Sequence, residues 1–186
     1  IVLSYHWKGD LEHAKQYALT EKDETKRDDL LVWCLDGEEK RKHCQEMLDK
    51  KLTDLIVFLQ TGFQSLEAID AVEQILLIFF PDGNIQYHHN SMTVSLLQKA
   101  VVLCRQNRFD EAVAALTMAR YHAEQDTVFS KQDNYQFTAS LFDLLCGKKS
   151  VSNSVETPLD GYRAYLAENT VFDIIRDRDD FKTLLK

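Results

Sequence analysis

Two runs of regularly spaced apolar residues lie in the middle of the chain and meet at a short polar corner, Gln106-Asn107-Arg108. Within each run the apolar residues recur at the three- and four-residue spacing of one face of an α-helix. The first run contains Leu96, Leu97, Ala100, Val101, Leu103 and Cys104, and the second contains Phe109, Ala112, Val113, Leu116, Ala119 and Ala123. The pattern predicts a helical hairpin over residues 86–106 and 109–125, with small alanine side chains where the two helices approach each other.

A second corner of the same kind lies at the start of the chain, where Gly9 takes the position that Asn107 has in the central hairpin. Ala14 follows it at the same spacing as the corresponding alanine after Asn107, which predicts a hairpin over residues 1–8 and 10–20. The alanine spacing around these corners resembles that of a tetratricopeptide repeat. Because one helix pair cannot cover its own apolar faces, such units are stable only when several of them stack. We therefore expect a repeat array.

The remaining apolar runs predict further helices joined by polar segments. Ser65 is the predicted N-cap of one of these helices, and the apolar residues of that helix wrap most of its circumference, which predicts burial on both sides. The further helices are predicted at 28–35, 38–60, 66–80, 135–145, 160–168 and 180–185, and the segments between them include a turn at 81–84, a connector at 127–134 and an exposed loop at 148–157.

The composition supports a helical fold. The chain has 186 residues, 45% of them apolar, with only 6 glycines and 2 prolines. Those counts favour long helices joined by short turns, and strand-like alternation of polar and apolar residues is rare. We therefore predict an all-α, tetratricopeptide-like helical hairpin array, an α-α superhelix, that forms a single domain over residues 1–186. The C-terminal helices at about 160–186 are expected to cap the array.

Charge and cysteine content limit the classes of partner and compartment. The net charge of -8 argues against a nucleic-acid surface on this chain, since phosphate binding needs clustered lysine and arginine. No apolar run is long enough to span a bilayer, so we expect no membrane partner. Four cysteines without a CxxC pair, each within or at the end of an apolar helical run, and the lack of a signal-peptide pattern favour a reducing, cytoplasmic location. Because Ile1 begins in the middle of a predicted helix, we also expect an N-terminally truncated fragment.

No constellation of catalytic residues emerges from the sequence, and we expect neither enzymatic activity nor a cofactor. The six glycines are scattered singly, so no phosphate-binding loop is predicted. The neighbours His88 and His89 are the strongest metal candidates, followed by His43 and Cys44. Adjacent residues on a helix point about 100° apart, however, and each pair would need remote partners. Surface or packing roles are the preferred interpretation, and no metal site is predicted.

If the hairpins form a binding face, the inner helices of the stacked pairs are expected to line it. On the helix at 86–106, the positions away from the alanine seam are Asn90, Val94, Gln98, Val101 and Arg105. Amide side chains such as those of Asn90 and Gln98 hydrogen-bond peptide backbones, and an arginine such as Arg105 pairs with a carboxylate. These five residues are the predicted ligand- or partner-binding site, and ordinary solvated positions are the alternative interpretation for each.

Five short motifs in this order resemble the C-terminal half of bacterial helix-turn-helix transcriptional regulators of the Cro/repressor-like (XRE) class. They are Tyr5-His6-Trp7-Lys8-Gly9-Asp10 followed by Ala14, then Arg41-Lys42-His43-Cys44-Gln45-Glu46, then Phe80-Pro81-Asp82-Gly83-Asn84 with Tyr87-His88, then 108–119, then Phe172-Asp173-Ile174-Ile175-Arg176-Asp177 with Asp180-Phe181-Lys182.

The resemblance implies a tetratricopeptide-like regulatory domain behind an N-terminal DNA-binding domain that this chain lacks. In related pheromone-sensing regulators of Gram-positive bacteria, the superhelix binds a short peptide on its concave face. We therefore expect a non-enzymatic domain that binds a peptide or protein, contacts DNA only through the absent N-terminal domain, and can mediate homodimerisation. The alternative is a tetratricopeptide scaffold or adaptor without a link to DNA.

Overall fold

The computed structural model describes residues 1–148 and 156–186. Nearly all of the regular structure in these ranges is helical, and the only strands within them form one small two-stranded sheet. The prediction of an all-α fold class is confirmed. The stacking of hairpins into a superhelix stays a prediction. None of the helices in the described ranges combines the length and the apolar character that crossing a membrane requires.

The chain divides into two compact units, Ile1–Leu52 and Thr53–Lys186. The first unit contains α1 (Val2–Trp7), α2 (Leu11–Leu19), α3 (Glu24–Leu31) and most of α4 (Gly37–Gly62). Its hairpin has the predicted corner, because Gly9 has φ +73, a conformation that side chains other than glycine rarely adopt. The carboxylate of Asp10 accepts a hydrogen bond from the backbone N–H of His13 and so caps α2.

One buried cluster of the first unit is built mainly from small side chains. Its members are Val2, Ala14, Ala18 and Cys34, against which Tyr5, Leu30 and Leu31 pack. Leu35 and Leu52 of this unit are buried as well. Both tryptophans of the chain lie in this unit and are largely exposed, Trp7 at 82% and Trp33 at 49%.

Helix α3 begins and ends about four residues earlier than predicted. The prediction of 28–35 followed the apolar residues, whereas the helix starts after Asp23, whose carboxylate accepts a hydrogen bond from the backbone N–H of Lys26. Cys34 and Leu35 are buried in the turn that follows α3. The position of this helix therefore follows its N-terminal capping residue and not the apolar run.

The second unit contains α5 (Leu66–Phe79), α6 (His88–Arg105) and α7 (Phe109–Ser130). The hydroxyl oxygen of Ser65 caps α5 as predicted, by accepting a hydrogen bond from the backbone N–H of Ala68. The expected burial of α5 on both sides is wrong, because Leu77 and Ile78 are 56% and 73% exposed.

Helices α6 and α7 form the predicted central hairpin. Asn107 at the corner has φ +60, which asparagine tolerates better than most residues. Ala100, Ala112 and Ala119 are completely buried, so small side chains do occupy the seam of this helix pair. Helix α7 continues to Ser130, and the predicted connector at 127–134 is therefore wrong over its first four residues.

The helix predicted at 135–145 is also wrong. The segment instead begins in β1 (Asn134–Gln136), which pairs antiparallel with β2 (Cys146–Lys148). Between the strands, Phe137 and Phe142 are buried and stack on Phe80, with ring centroids 5.2 and 4.7 Å apart. Packing of these rings against Phe80 buries them without the helix that the apolar spacing indicated.

The strands also change the expectation for the cysteines. Cys104 is buried within α6 and Cys34 is buried in the turn after α3, whereas Cys146 is exposed and lies in β2, so the expected helical position is wrong for Cys146. The predicted loop at 148–157 lies largely outside the described residues.

The C-terminal segment contains α8 (Pro158–Glu168), a 3₁₀ helix (Thr170–Ile175) and α9 (Asp179–Leu184), and it packs on the central hairpin. Thr157 and Asp160 form a capping box at the start of α8. The hydroxyl of the buried Tyr162 donates a hydrogen bond of 2.9 Å to the backbone carbonyl of Leu116 in α7. This bond fixes α8 to the middle of α7.

Candidate binding face on the central hairpin

The five residues predicted to bind a ligand all lie on α6, along one side of the helix. They follow each other at steps of three or four residues, which keeps them on one face. Asn90, Val94 and Arg105 are exposed, and Gln98 and Val101 are half-buried. At about 1.5 Å of rise per residue, the distance from Asn90 to Arg105 along the helix is about 22 Å. We call this surface the α6 stripe.

The α6 stripe is what remains accessible after the rest of α6 has packed. Its opposite side is buried, with side chains that include Met92, Leu96, Ala100 and Leu103. The Gln60 amide donates hydrogen bonds of 2.8 Å to the Ser91 carbonyl and to the Ser95 hydroxyl, which anchors the first half of α6. Lys99 forms an ion pair of 2.6 Å with Asp70 on α5. The helix that carries the stripe is therefore held from two directions.

The polar side chains of the α6 stripe are available to a ligand. Within the described residues, the side chains of Asn90, Gln98 and Arg105 make no hydrogen bond or ion pair. The two amides carry both donors and acceptors, and the guanidinium can bind a carboxylate through two parallel hydrogen bonds. Val94 adds an apolar contact at 37% exposure. The stripe thus offers the groups that an extended peptide requires, and its role in binding stays a prediction.

Helix α7 carries a second exposed stripe, which the sequence interpretation did not identify. Met118, Tyr121 and Val128 are about half exposed, at 49%, 50% and 54%. One edge of this stripe is partly packed, because the ring of Tyr121 contacts the imidazoles of His89 and His122. The signal in the sequence was the spacing of these three residues, which places them opposite the buried alanines of α7.

The adjacent histidines at the start of α6 diverge, as helix geometry predicts. The His88 ring is buried 5.4 Å from the ring of Phe80, whereas His89 points towards α7. There the Nδ1 atoms of His89 and His122 are 2.8 Å apart, so the two imidazoles share a hydrogen bond across the hairpin. No local pattern in the sequence indicates this pair, because 33 residues separate its members.

Burial strongly disfavours charge on this histidine pair. Desolvation lowers the pKa of His122 to about 4. Desolvation also lowers the pKa of His89 to about 4, and the neighbouring His122 and His88 add electrostatic repulsion. Both rings are therefore neutral at pH 7.

His43, the other histidine that the sequence offered as a metal candidate, contacts the Asp28 carbonyl through Nε2 at 2.9 Å.

Among the described residues, no three or more histidine, cysteine, aspartate or glutamate side chains are grouped so that they could hold a metal ion. An open depression of about 470 Å³ lies at the small sheet, lined by Asn134, Tyr135, Gln136, Cys146 and Gly147. None of the five residues of the α6 stripe lines this depression.

No family model, curated protein or solved structure matches this chain.

Proposed function

We propose that this chain is a non-enzymatic interaction domain that binds a peptide, or an extended segment of a protein, along the α6 stripe. The observation that carries the proposal is the alignment of two amides, two valines and one arginine on a single side of a helix whose other faces are packed. Chemistry of this kind recognises a backbone and a carboxylate and offers no reactive group.

The dimensions of the stripe set the length of the expected ligand. An extended chain advances about 3.3 Å per residue, so the span of about 22 Å accommodates six or seven residues. Arg105 lies in the last turn of α6, where the helix dipole also favours a positive side chain. We therefore place the carboxylate end of the peptide at Arg105, and its backbone amides along Gln98 and Asn90.

The proposed biological role is regulatory. We infer that the domain belongs to a helix-turn-helix transcriptional regulator of the XRE class, in which an N-terminal domain outside this chain reads DNA. This inference depends on the resemblance of the five sequence motifs, and the acidic net charge of -8 agrees with DNA being contacted elsewhere. The alternative is a scaffold or adaptor of tetratricopeptide type. A basic recognition helix encoded upstream of Ile1 would favour the regulator, and additional repeats would favour the scaffold.

Peptide binding can be tested with fluorescently labelled heptapeptides of random sequence, screened by fluorescence anisotropy as free acids and as C-terminal amides. We expect the bound sequences to prefer the free acid. Arg105→Glu should weaken their binding about tenfold or more and abolish that preference, since it replaces an ion pair with repulsion.

The matched control is Lys131→Glu, which makes the same change of charge at an exposed position just after α7. This variant should bind like the unmodified chain. Equal binding by both variants, or equal affinity for the acid and amide forms, would remove the α6 stripe from the proposal. Homodimerisation is tested separately by light scattering, in which a mass near 21.6 kDa would argue against it.

A further inference from the structure

We infer that the contact between His89 and His122 makes the closure of the α6–α7 hairpin sensitive to acid, because the two facing nitrogens cannot both carry a proton. The inference concerns the stability of the hairpin and does not depend on the proposed function.

The geometry of the pair determines the state of each ring. A hydrogen bond between two Nδ1 atoms at 2.8 Å requires that one of them donates and the other accepts. The donor ring is therefore protonated on Nδ1, and the neutral acceptor ring carries its proton on Nε2. A first additional proton can enter at Nε2 of the donor ring without breaking the bond. A second would place an N–H group on both facing nitrogens, and the bond would become a repulsive contact between two cations.

The surroundings of the pair do not relieve this repulsion. His122 is 8% exposed, and the ring of Tyr121 lies against both imidazoles. Within α6 and α7, the ionisable groups nearest in sequence to the pair are His88, Arg120, Tyr121, Glu124 and Asp126. Glu124 is engaged by the guanidinium of Arg120 at 2.9 Å.

Several charged groups on the elements that pack on the hairpin are engaged in ion pairs or capping contacts. On α5, Asp70 pairs with Lys99 at 2.6 Å. On α8, Asp160 belongs to the capping box, and on the 3₁₀ helix Asp173 pairs with Arg176 at 2.7 Å. On α9, Asp180 pairs with Arg178 at 2.8 Å. The other charged groups on these elements are Glu67, Glu73, Arg163, Glu168, Asp179 and Lys182.

The direction of the pH effect follows from proton linkage. The unfolded chain takes up protons on both histidines near the ordinary pKa of about 6.5, whereas the folded pair takes them up only near pH 4. The stability that the neutral pair contributes is therefore complete above about pH 6.5, is lost as the pH falls, and changes no further below about pH 4. Between about pH 7.5 and about pH 5, exclusion of the second proton alone should raise the unfolding equilibrium constant about 30-fold.

The experiment measures urea unfolding at about pH 7.5 and about pH 5 for the full chain and for His89→Gln and His122→Gln. Each variant removes the pair, and we expect the acid-induced rise of the unfolding constant to be at least about tenfold smaller than in the unmodified chain. His13→Gln is the matched control, since its imidazole is exposed, and it should retain the full rise. Equal acid sensitivity in all four proteins would overturn the inference.

Nitrogen-15 NMR of the imidazoles in the unmodified chain gives a second test that does not depend on the folding of a variant. We expect one ring with its proton on Nδ1 and one with its proton on Nε2 at neutral pH, both still neutral at about pH 5.5. If both rings became charged near their ordinary pKa of about 6.5 while the protein stayed folded, the inference would be wrong.

Discussion

The alanine seam of the central hairpin allows a sharp test of the packing between α6 and α7. Ala119 is completely buried and lies on the same side of α7 as Ala112 and Ala123, which are also completely buried. The substitution Ala119→Leu adds three carbon atoms where the structure leaves no room. Overpacking of this kind costs about 1–3 kcal/mol of folding free energy, and the change in helix propensity adds only about 0.2 kcal/mol.

Urea unfolding followed by far-UV circular dichroism measures this cost. With a slope of about 2 kcal/mol per molar urea, a loss of about 2 kcal/mol lowers the unfolding midpoint by about 1 M. The control is Ala114→Leu on the same helix, where the side chain is exposed and a leucine should change the free energy of unfolding by less than about 0.5 kcal/mol. Identical midpoints for the two variants would show that the seam is not tightly packed and would refute the reasoning.

Three further substitutions test single contacts. Tyr162→Phe leaves the Leu116 carbonyl without its buried donor and should lower the free energy of unfolding by about 1 kcal/mol, measured by urea titration. Asn107→Val places a β-branched residue at φ +60 and should cost about 1–2 kcal/mol, whereas Asn107→Gly should keep the thermal midpoint unchanged or raise it. Thr157→Ala removes one half of the capping box and should cost about 1 kcal/mol in a thermal melt, and a cost near zero would show that α8 does not depend on this cap.

The central hairpin was predictable because its signals are local. The three- and four-residue spacing of its apolar residues and the corner at Asn107 are both visible within about thirty residues of sequence. The same spacing predicted a helix at 135–145, and this prediction was wrong. Phe137 and Phe142 instead pack on Phe80, which is more than fifty residues away in the sequence. Periodicity records which residues are apolar, and only the tertiary contact decides the conformation in which they are buried.

The candidate sites also differ in whether their signals are local in the sequence or depend on tertiary contacts. The α6 stripe was predictable because helix geometry alone separates Asn90 and Arg105 from the buried seam. The His89–His122 contact was not predictable, because it depends on how two helices are placed across a hairpin. Helix α3 lies between these cases, since the capping signal at Asp23 is present in the sequence, but the apolar run that follows predicts a later helix.

The placement of both tryptophans in the unit Ile1–Leu52 gives the molecule a built-in spectroscopic label. Selective excitation of the indole rings reports on that unit alone, since Thr53–Lys186 contains no second source of indole emission. Circular dichroism, in contrast, records the helices of both units. Emission and dichroism curves from one titration would therefore coincide if the two units lose their structure together, and would separate if each unfolds independently.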